Sequence, residues 1–444
     1  MSHVFPRHCH SDLPRAASGD GCYLIDQTGK RYFDGSGGAA VSCLGHSNAR
    51  VTQAIKDQAD QLAFAHTGFF TTDPAEELAD MLIAEAPGDL DRVYFVSGGS
   101  EAVEAAIKLA RQYHIENGQP KRRHLIARRQ SYHGNTLGAL AAGGNAWRRA
   151  QFSPLLIDVS HISPCYEYAE RHDDETLAAY GARAAQELED EILRLGPDQV
   201  MAFLAEPVVG ATLGAVPAVE GYFARIREIC DRYGVLLILD EVMCGMGRTG
   251  HMFACDADGI APDILCIAKG LGAGYQPIGA MLCTRGIYDA VASGTGFFQH
   301  GHTYLGHPIA TAAARAVLQE MKDNALIPRV RQIGATFEAA LQSHFGQHAH
   351  VGDIRGRGLF WGIELVAERE TRIPFDPAHR VANRLKKAAF NEGLICYPMP
   401  GTRDGKVGDH LLLAPPFIMT EPQIDEVTSK LGRALDCVLS PKSA

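Results

Sequence analysis

Long apolar runs are missing from this 444-residue chain: it has no stretch of about 18 apolar residues, the length that a membrane-spanning helix needs. The opening segment also lacks a charged stretch followed by an apolar core, the pattern of a secretory signal. We therefore expect a soluble, cytoplasmic protein without a membrane partner.

An excess of positive charge is missing as well. The 52 acidic residues outnumber the 42 basic ones, which gives a formal net charge of −10. Proteins that bind nucleic acids usually carry a basic face that attracts the phosphate backbone. Nucleic acid is therefore excluded as an expected partner.

Paired cysteine motifs are the third absence. The 11 cysteines are scattered singly from Cys9 to Cys437, so we expect neither a disulfide framework nor a zinc knuckle. Three histidines lie close together in "HGHTYLGHP", namely His300, His302 and His307. No acidic residue or cysteine accompanies them, and we expect no metal site.

The chain does contain helices that alternate with short apolar strands between about Val51 and Leu318. The predicted strands are "RVYFVS", "HLIARRQS", "MAFLAEPV", "VLLILDEV", "ILCIAKG" and "IGAMLCT". Strands buried on both faces have near-continuous apolar sequences, and helices such as "GYFARIREICDRYG" separate them. We predict an α/β fold whose large domain has a mostly parallel sheet covered by helices.

Three parts of the chain differ in pattern. Residues 1–55 contain "CYLIDQTGKRYFDGSGG", which predicts short strands with a hairpin turn at Thr28 and Gly29. Residues 56–321 form the predicted large domain. Residues 322–444 have long helical periodicity with short strands, and we expect a small α+β domain there that packs with the N-terminal segment.

Polar residues follow several predicted strands, at the sheet edge where ligands bind in such folds. In "FVSGGSEAVEAAIKLAR", Gly99 and Ser100 lie at a helix start, which suits a phosphate or is simply an ordinary capped helix. In "RRQSYHGNTLGA", Tyr132 precedes His133, and an aromatic ring there can lie flat over a planar ligand or merely pack.

Three charged residues end other predicted strands. Glu206 in "LAEPVVG" can orient a polar ligand group or pair with a nearby arginine. Asp240 ends an apolar strand and needs a cationic partner, for which a protonated pyridine nitrogen is one candidate. Burial would make the amine of Lys269 neutral and nucleophilic, as a Schiff base requires, unless it snorkels outward or pairs with an acid.

The segment "GMGRTG" matches the dinucleotide fingerprint G-x-G-x-x-G. Five residues, from Asp240 to Cys244, separate it from the apolar strand, whereas the fingerprint needs its glycines directly after the strand. A nicotinamide-dependent oxidoreductase would depend on this match alone. A non-catalytic interaction protein would not need Lys269 and Asp240 together.

A phosphate cradle, a stacking aromatic, an acid for a ring nitrogen and an amine for an aldehyde follow one another along the chain. These are the groups that pyridoxal 5′-phosphate requires. From "DGSGGAAVSCLGH" to "LLLAPPFIMTEPQIDE", the chain resembles the class III (ω-amino acid type) aminotransferases of fold type I. The most specific motifs are "LDEVMCGMGRTG", "IAKGLGAGYQPIGA" and "HTYLGHP", and the 29-residue interval from Asp240 to Lys269 suits the family.

The resemblance implies a role for each matching residue. It implies a homodimer with shared active sites, since in this family a threonine of the neighbouring subunit completes the phosphate site. Whether dimers pair into tetramers stays open. The implied roles are: Lys269 as Schiff-base lysine, Asp240 as partner of the pyridine nitrogen, Val242 and Tyr132 on opposite ring faces, His133 and Gly134 beside Tyr132, Gly99 and Ser100 at the phosphate, and Thr303 as the threonine.

The resemblance also implies an amine donor and a keto-acid acceptor as substrates. Ornithine-type and γ-aminobutyrate-type relatives carry a glutamate where this chain has Ala211, which favours an ω-amino acid or amine donor with pyruvate, although 2-oxoglutarate stays open. Arg403 is the arginine nearest to the C-terminal "PP" motif, with Lys406 as the other cation, and we expect Arg403 to bind the substrate carboxylate.

Two further alternatives stay open. Phe69, with its neighbour Phe70, is expected to line the donor pocket, but either ring could equally belong to the core. Lyases and epimerases of the same fold would carry identical motifs for the ring and the phosphate.

Overall fold

The computed structural model describes residues 3–10 and 12–439, and helices make up the larger share of its regular structure. The α-helical segments are Gly37–Ala40, Ala49–Gln61, Asp73–Ala84, Gly99–Glu116, Leu137–Ala142, Ala146–Arg149, Glu167–Glu170, Leu177–Leu195, Tyr222–Tyr233, Arg285–Ser293, Pro308–Asp323, Leu326–Phe345, Val381–Asn391 and Glu421–Leu439. Short 3₁₀ turns lie at Ser153–Leu155, Ala254–Asp258, Lys269–Leu271 and Pro377–His379. Within the described ranges, no helix is both long enough and apolar enough to cross a membrane.

A seven-stranded sheet forms the centre of the molecule. Its strands, in spatial order, are Leu90–Val96, Gly279–Thr284, Ile264–Ile267, Leu236–Asp240, Val200–Ala205, His124–Arg128 and Ser160–Ile162. Four of the six neighbouring pairs are parallel, and strand Gly279–Thr284 runs antiparallel to both of its neighbours. The predicted mostly parallel α/β sheet is confirmed, and each of the six predicted strands is present.

The central sheet is buried on both faces, which explains its apolar sequences. In strand Leu236–Asp240, Leu236 and Ile238 join the apolar cluster on one face, while Leu237 and Leu239 join the cluster on the other. Successive side chains of a strand point to opposite faces, so both sets must be apolar when helices cover both. Burying each such side chain contributes about 1.5–3 kcal/mol to folding.

The N-terminal strands belong to a separate four-stranded sheet. Strands Ala16–Asp20, Tyr23–Asp26 and Arg31–Asp34 form an antiparallel ribbon, and Leu394–Ile395 pairs in parallel with the last of them. The hairpin turn contains Gly29 with a φ of +86°, a conformation that glycine adopts readily. The N-terminal segment thus contacts the C-terminal part of the chain through main-chain pairing.

The C-terminal part has its own antiparallel sheet. Its strands, in spatial order, are Val351–Arg357, Phe360–Leu365, Asp409–Leu413 and Tyr397–Pro400, and a hairpin of Val208–Val209 with Val216–Pro217 lies apart. The predicted boundaries at 55/56 and 321/322 both fall inside continuous helices, Ala49–Gln61 and Pro308–Asp323. We propose the loops at residues 41–48 and 324–325 as domain limits instead.

Candidate active site

One cavity of about 480 Å³ opens at the carboxyl edge of the central sheet. Segments that follow five strands meet there, together with the segment that enters the antiparallel strand Gly279–Thr284. The lining residues are Val41, Ser97, Gly98, Gly99, Ser100, Tyr132, His133, Gly134, Glu206, Asp240, Val242, Met243, Ala268, Lys269, Gly274, Gln276, Pro277 and Ile278. Nine of the ten residues predicted to bind the cofactor are among them, and Thr303 is the exception.

The start of helix Gly99–Glu116 forms one wall of the cavity. No side chain caps this helix at Gly98, and a Cβ added to Gly98 would meet no atom within 4 Å. The Ser100 hydroxyl accepts a hydrogen bond from the Asn135 N–H at 3.1 Å, which leaves its own O–H available to donate. Free N–H groups at a helix start beside a hydroxyl are suited to an anion such as phosphate.

Glu206 holds the backbone of the segment that contains Tyr132. Its carboxylate accepts hydrogen bonds from the Tyr132 N–H at 3.1 Å and the Gly210 N–H at 2.9 Å. Burial raises the pKa of this carboxyl. The nearby Arg128 donates to the main-chain oxygen of Glu206 and not to the carboxylate. Of the two sequence-based alternatives, pairing with this arginine is therefore not observed, and Glu206 holds Tyr132 at the cavity.

Asp240 makes a hydrogen bond that the sequence did not predict. His133 Nδ1 lies 2.8 Å from Asp240 Oδ2, and Asp240 Oδ1 accepts from the Val242 N–H at 3.0 Å. An ionised carboxylate only accepts hydrogen bonds, so this geometry places a proton on His133 Nδ1. His133 Nε2 is buried without a hydrogen-bond partner among the described residues. The only sequence signal was the position of His133 after a strand, next to Tyr132.

Lys269 lies after strand Ile264–Ile267, at the first position of a 3₁₀ turn. Its φ of +45° is in the left-handed region, which costs a non-glycine residue about 1 kcal/mol or more. Burial lowers the pKa of the Lys269 amine, while Asp240 and Glu206 act in the opposite direction. Burial therefore favours the neutral, nucleophilic form of an amine that lines the cavity.

These groups fit pyridoxal 5′-phosphate. The helix start with the open position at Gly98 suits a phosphate, and the buried Asp240 carboxylate suits a protonated ring nitrogen. The amine of Lys269 suits an aldehyde, and Tyr132 and Val242 line the same space. A planar ring with a phosphate on one side thus matches the set of donors, acceptors and surfaces present.

Two predicted site residues, Phe69 and Thr303, lie outside this cavity within one chain. Phe69 is 82% exposed and Phe70 68% exposed, and both line a second cavity of about 400 Å³ that includes Gly306. Thr303 is exposed as well. Within one chain, Phe69 therefore does not line the cavity that contains Lys269. Phe70 is exposed, so it does not belong to the core either.

Arg403 is also absent from the cavity lining. Its Nε lies 3.3 Å from Glu364 Oε1, and its guanidinium lies over the rings of Tyr166 and Tyr168 at 5.7 and 5.3 Å. Glu364 is buried and also pairs with Arg355 at 2.7 Å. A buried carboxylate needs such cationic partners, so the structure places Arg403 at Glu364 and not in the cavity where we expected it to bind the substrate carboxylate.

The segment "GMGRTG" forms a buried turn. Gly247 has a φ of +85° and packs near Phe417 and Ile327, and the next regular element is the 3₁₀ turn Ala254–Asp258. A dinucleotide site needs an α-helix to start directly after its glycines, so that N–H groups reach the pyrophosphate. The structure therefore opposes a dinucleotide site here.

Comparisons with known proteins agree with this site. The family model described as aminotransferase class III matches residues 8–435. An uncharacterized aminotransferase of Schizosaccharomyces pombe is 44% identical over 98% of this chain and 94% of its own length. An uncharacterized aminotransferase of Bacillus subtilis is 39% identical over 98% of both chains.

Solved structures of aminotransferases also resemble this chain. An (S)-enantioselective ω-transaminase from Thermomicrobium roseum superimposes with a TM-score of 0.92 at 33% identity, covering 99% of this chain and 97% of that one. The ω-transaminase from Pseudomonas jessenii in complex with PMP has a TM-score of 0.91 at 31% identity, covering 98% of this chain and 96% of that one.

Proposed function

The chain belongs to the class III aminotransferases, and from this premise we propose that it moves an amino group from an ω-amino acid or amine to pyruvate. Pyridoxal 5′-phosphate is the cofactor of this family. The observation that carries the proposal is that Lys269, Asp240 and the start of helix Gly99–Glu116 line one cavity. The similarity to solved ω-transaminases supports the donor class.

When bound, the cofactor supplies an aldehyde that condenses with amines and a ring that takes up the electrons of a broken C–H bond. We assign its aldehyde to Lys269 and its ring nitrogen to Asp240. Tyr132 and Val242 would hold the two ring faces. The phosphate would bind the N–H groups at the start of helix Gly99–Glu116, with the Ser100 hydroxyl as a further donor.

Lys269 is proposed as both nucleophile and proton carrier. An amine whose pKa is lowered by burial is neutral more often than a free lysine, and only the neutral amine has a lone pair for either task. Lys269 Nζ would take a proton from the donor carbon that bears nitrogen and carry it to the carbon of the cofactor's aldehyde group. In the second half-reaction it would carry a proton the opposite way, to the carbonyl carbon of the acceptor. A positioned base of this kind contributes about 10²–10⁴-fold to the rate.

Asp240 is proposed to keep the cofactor ring cationic. Its two oxygens each accept one hydrogen bond from the protein, from His133 and from the Val242 N–H. Each carboxylate oxygen has a second lone pair, so Asp240 can still accept a hydrogen bond from a donor in the cavity. The negative charge near a bound ring nitrogen then favours its protonated form.

Ala211 supports an ω-amino acid or amine donor with pyruvate as the acceptor. The residue is buried in an apolar cluster with Val208, Met243 and Leu412, and its carbonyl oxygen lies 3.1 Å from His410 Nε2. A glutamate in that cluster would bring a charge into apolar surroundings. The chain thus lacks the carboxylate that ornithine-type and γ-aminobutyrate-type enzymes carry there.

A homodimer is part of the proposal. Phe69 and Phe70 are exposed and line the second cavity together with Gly306. Thr303 and the 60%-exposed Tyr304 lie just before Gly306 in the chain. Large exposed apolar surfaces on a single chain usually mark an interface. We propose that a second copy covers this surface, so that Thr303 and Phe69 reach the active site of the neighbouring subunit.

A cytoplasmic location is proposed as well. All eleven cysteines are free thiols, and nine of them are buried. Free thiols persist in a reducing compartment. Blocking the thiols of gently lysed cells before extraction, followed by mass spectrometry of Cys9 and Cys437, the two exposed ones, would test this: disulfides there would oppose the proposal.

The test compares Lys269→Ala with Lys121→Ala, an exposed lysine outside the cavity. Wild-type protein loaded with pyridoxal 5′-phosphate should be yellow, and borohydride should fix the cofactor on Lys269, as seen by mass spectrometry. Transamination of pyruvate with a panel of amines and ω-amino acids should fall at least about 10³-fold in Lys269→Ala and stay normal in Lys121→Ala. Near-normal turnover by Lys269→Ala would refute the assignment.

The same panel separates a transaminase from a lyase or an epimerase. Amine added without any keto acid should bleach the visible absorbance and release a stoichiometric amount of carbonyl product. A lyase or epimerase would instead turn over many equivalents without a keto acid. Faster reaction with 2-oxoglutarate than with pyruvate would overturn the proposed acceptor but not the reaction.

A further inference from the structure

The keto acid carries a carboxylate, yet the cavity already contains two acidic side chains. Asp240 and Glu206 both line it, and Lys269 is the only lysine or arginine among the lining residues within the described chain. Like charges repel strongly where water is scarce. A carboxylate substrate therefore needs a positively charged side chain beyond the residues that line the cavity.

Several arginines in the neighbourhood are already engaged. Arg128 and Arg248 are buried and donate to main-chain carbonyl oxygens. Arg355 and Arg403 both lie at Glu364. Each of these four guanidinium groups contacts main-chain oxygens or Glu364.

Arg148 does not line the cavity either, but it contacts a residue that does. Its guanidinium carbon lies 4.7 Å from the centre of the Tyr132 ring, and Tyr132 lines the cavity. Arg148 Nε is buried without a hydrogen-bond partner in the described part of the chain, as are the Nε atoms of Arg128, Arg248 and Arg403. Among residues 3–10 and 12–439, no acidic side chain forms an ion pair with Arg148. A guanidinium without a counter-charge thus lies against the aromatic wall of the cavity.

The short helix that carries Arg148 is held from two sides. Asn145 accepts a hydrogen bond from the Arg148 N–H at 3.2 Å and donates to Gln130 Oε1 at 3.0 Å. Gln130 Nε2 in turn donates to the carbonyl oxygens of Gly401 and Thr402, at 2.6 and 2.8 Å. Gln130 lies two residues before Tyr132. The same side chain therefore fixes the helix and the start of the segment that contains Tyr132, which keeps Arg148 in place before any ligand binds.

On the basis of the keto-acid acceptor proposed above, we propose that Arg148 binds the carboxylate of the keto acid beside the ring of Tyr132, the lining residue that it contacts. The guanidinium offers paired N–H donors that match the two oxygens of a carboxylate. The positive charge of Arg148 acts on Tyr132 as well. Burial raises the pKa of the Tyr132 phenol, and the charge of Arg148 opposes that rise.

The test uses Arg148→Gln and Arg148→Lys, with Arg149→Gln as the matched control. Arg149 is the next residue on the same helix. Its charge acts on His161: burial, and to a smaller extent the charge of Arg149, lower the pKa of His161 to about 4. In the holoenzyme, Arg148→Gln should raise the KM for pyruvate about 10- to 100-fold with little change in kcat. Arg148→Lys should lie in between, because lysine keeps the charge but not the paired donors.

A second measurement does not need turnover. Propionate, a carboxylate that cannot react, should bind the wild-type holoenzyme in a calorimetric titration, and Arg148→Gln should weaken its binding at least about tenfold. The half-reaction with an amine that lacks a carboxylate, such as 1-phenylethylamine, should change less than about twofold, because Arg148 has no group to pair with on that donor. Equal losses in Arg149→Gln, or unchanged KM and propionate affinity in Arg148→Gln, would overturn the assignment.

The two proposals fail in distinguishable ways. An enzyme that transaminates no keto acid refutes the proposed function, whereas active enzyme with unchanged pyruvate KM in Arg148→Gln refutes only the role of Arg148. If Arg148→Gln does not fold, Arg148→Lys decides: a pyruvate KM and propionate affinity equal to wild type would contradict the need for paired donors.

Discussion

His133 Nδ1 and Asp240 Oδ2 lie 2.8 Å apart, although 107 residues separate them along the chain. Both side chains are buried. Asp240 ends strand Leu236–Asp240, and His133 lies in the segment that follows strand His124–Arg128. The bond orients the Asp240 carboxylate together with the Val242 N–H. His133 is thus a positioning residue for the acid proposed to hold the cofactor ring nitrogen.

Asp240→Asn should abolish most activity while the protein still folds. The amide keeps the shape but loses the charge that favours a protonated ring nitrogen, and we expect kcat to fall about 10²–10³-fold. His133→Phe should have a smaller effect, about tenfold, because it leaves Asp240 charged but removes one donor, at a cost of about 1–3 kcal/mol. Steady-state kinetics and thermal unfolding check both variants, and an active Asp240→Asn enzyme would contradict the role of the charge.

Gly99→Ala should weaken cofactor binding through a steric conflict. A Cβ at Gly99 would lie 2.8 Å from Val242 Cγ1, so one wall of the cavity must move, at a cost of about 1–3 kcal/mol. Fluorescence titration should show an increase of about tenfold in the Kd for pyridoxal 5′-phosphate. Gly286→Ala is the control, since a Cβ there meets no atom within 4 Å.

The double variant Gly99→Ala, Val242→Ala tests whether the steric conflict with Val242 causes the loss of cofactor affinity. Removing the Val242 methyl groups leaves only an ordinary contact of 3.5 Å with the Val242 Cβ, so the second substitution should recover part of the lost affinity. Strictly additive losses in this cycle would show that the two residues act independently.

Stability should depend on pH through Glu241. This fully buried carboxyl accepts hydrogen bonds from the Ala254 and Cys255 N–H groups, yet burial raises its pKa to about 7. Between pH ~4.5 and ~7 the folded state then binds more protons than the unfolded state. This contribution to stability is therefore fully present below pH ~4.5 and is lost as the pH rises to about 7.

Replacement of Glu241 by glutamine isolates that contribution. The variant loses one acceptor, a constant cost of about 1 kcal/mol, but it has no proton to release. Urea unfolding from pH 5 to 8 should therefore show a wild-type free energy that falls by about 1–3 kcal/mol more than that of Glu241→Gln. Parallel pH profiles would refute the raised pKa.

Arg403→Met should change stability and leave acceptor binding alone. The substitution removes one of the two arginines at the buried Glu364, and with Arg355 still present we expect a loss of about 1–3 kcal/mol. The KM for pyruvate should stay within about twofold of wild type, since Arg403 is held at Glu364 and lies over Tyr166 and Tyr168, which do not line the cavity. An increased KM with unchanged unfolding would return Arg403 to the substrate-binding residues.

Much of the central sheet was predictable because burial on both faces leaves a strong signal. Strands such as Leu236–Asp240 need apolar side chains at nearly every position, which few other elements require. The direction of strand Gly279–Thr284 was not predictable, since an antiparallel strand buried on both faces has the same apolar pattern. Strand Ser160–Ile162 is too short to give any periodic signal.

The site was predictable where one residue type at a strand end implies its chemistry, as for Lys269 and Asp240. It was not predictable where a partner comes from a distant part of the chain. The pairing of Arg403 with Glu364 depends on how the C-terminal sheet packs, and the sequence around Arg403 carries no trace of it. The position of Phe69 likewise depends on surfaces that lie far from it in sequence.

Strand Arg31–Asp34 obtains its last neighbour, Leu394–Ile395, only after most of the intervening chain has been translated. About 360 residues, from Asp34 to Leu394, must be synthesised in between, which takes roughly 20–70 s at about 5–20 residues per second. During that time the outer edge of the nascent N-terminal ribbon has unpaired backbone groups. This interval is a period in which a ribosome-associated chaperone would protect the growing polypeptide from aggregation.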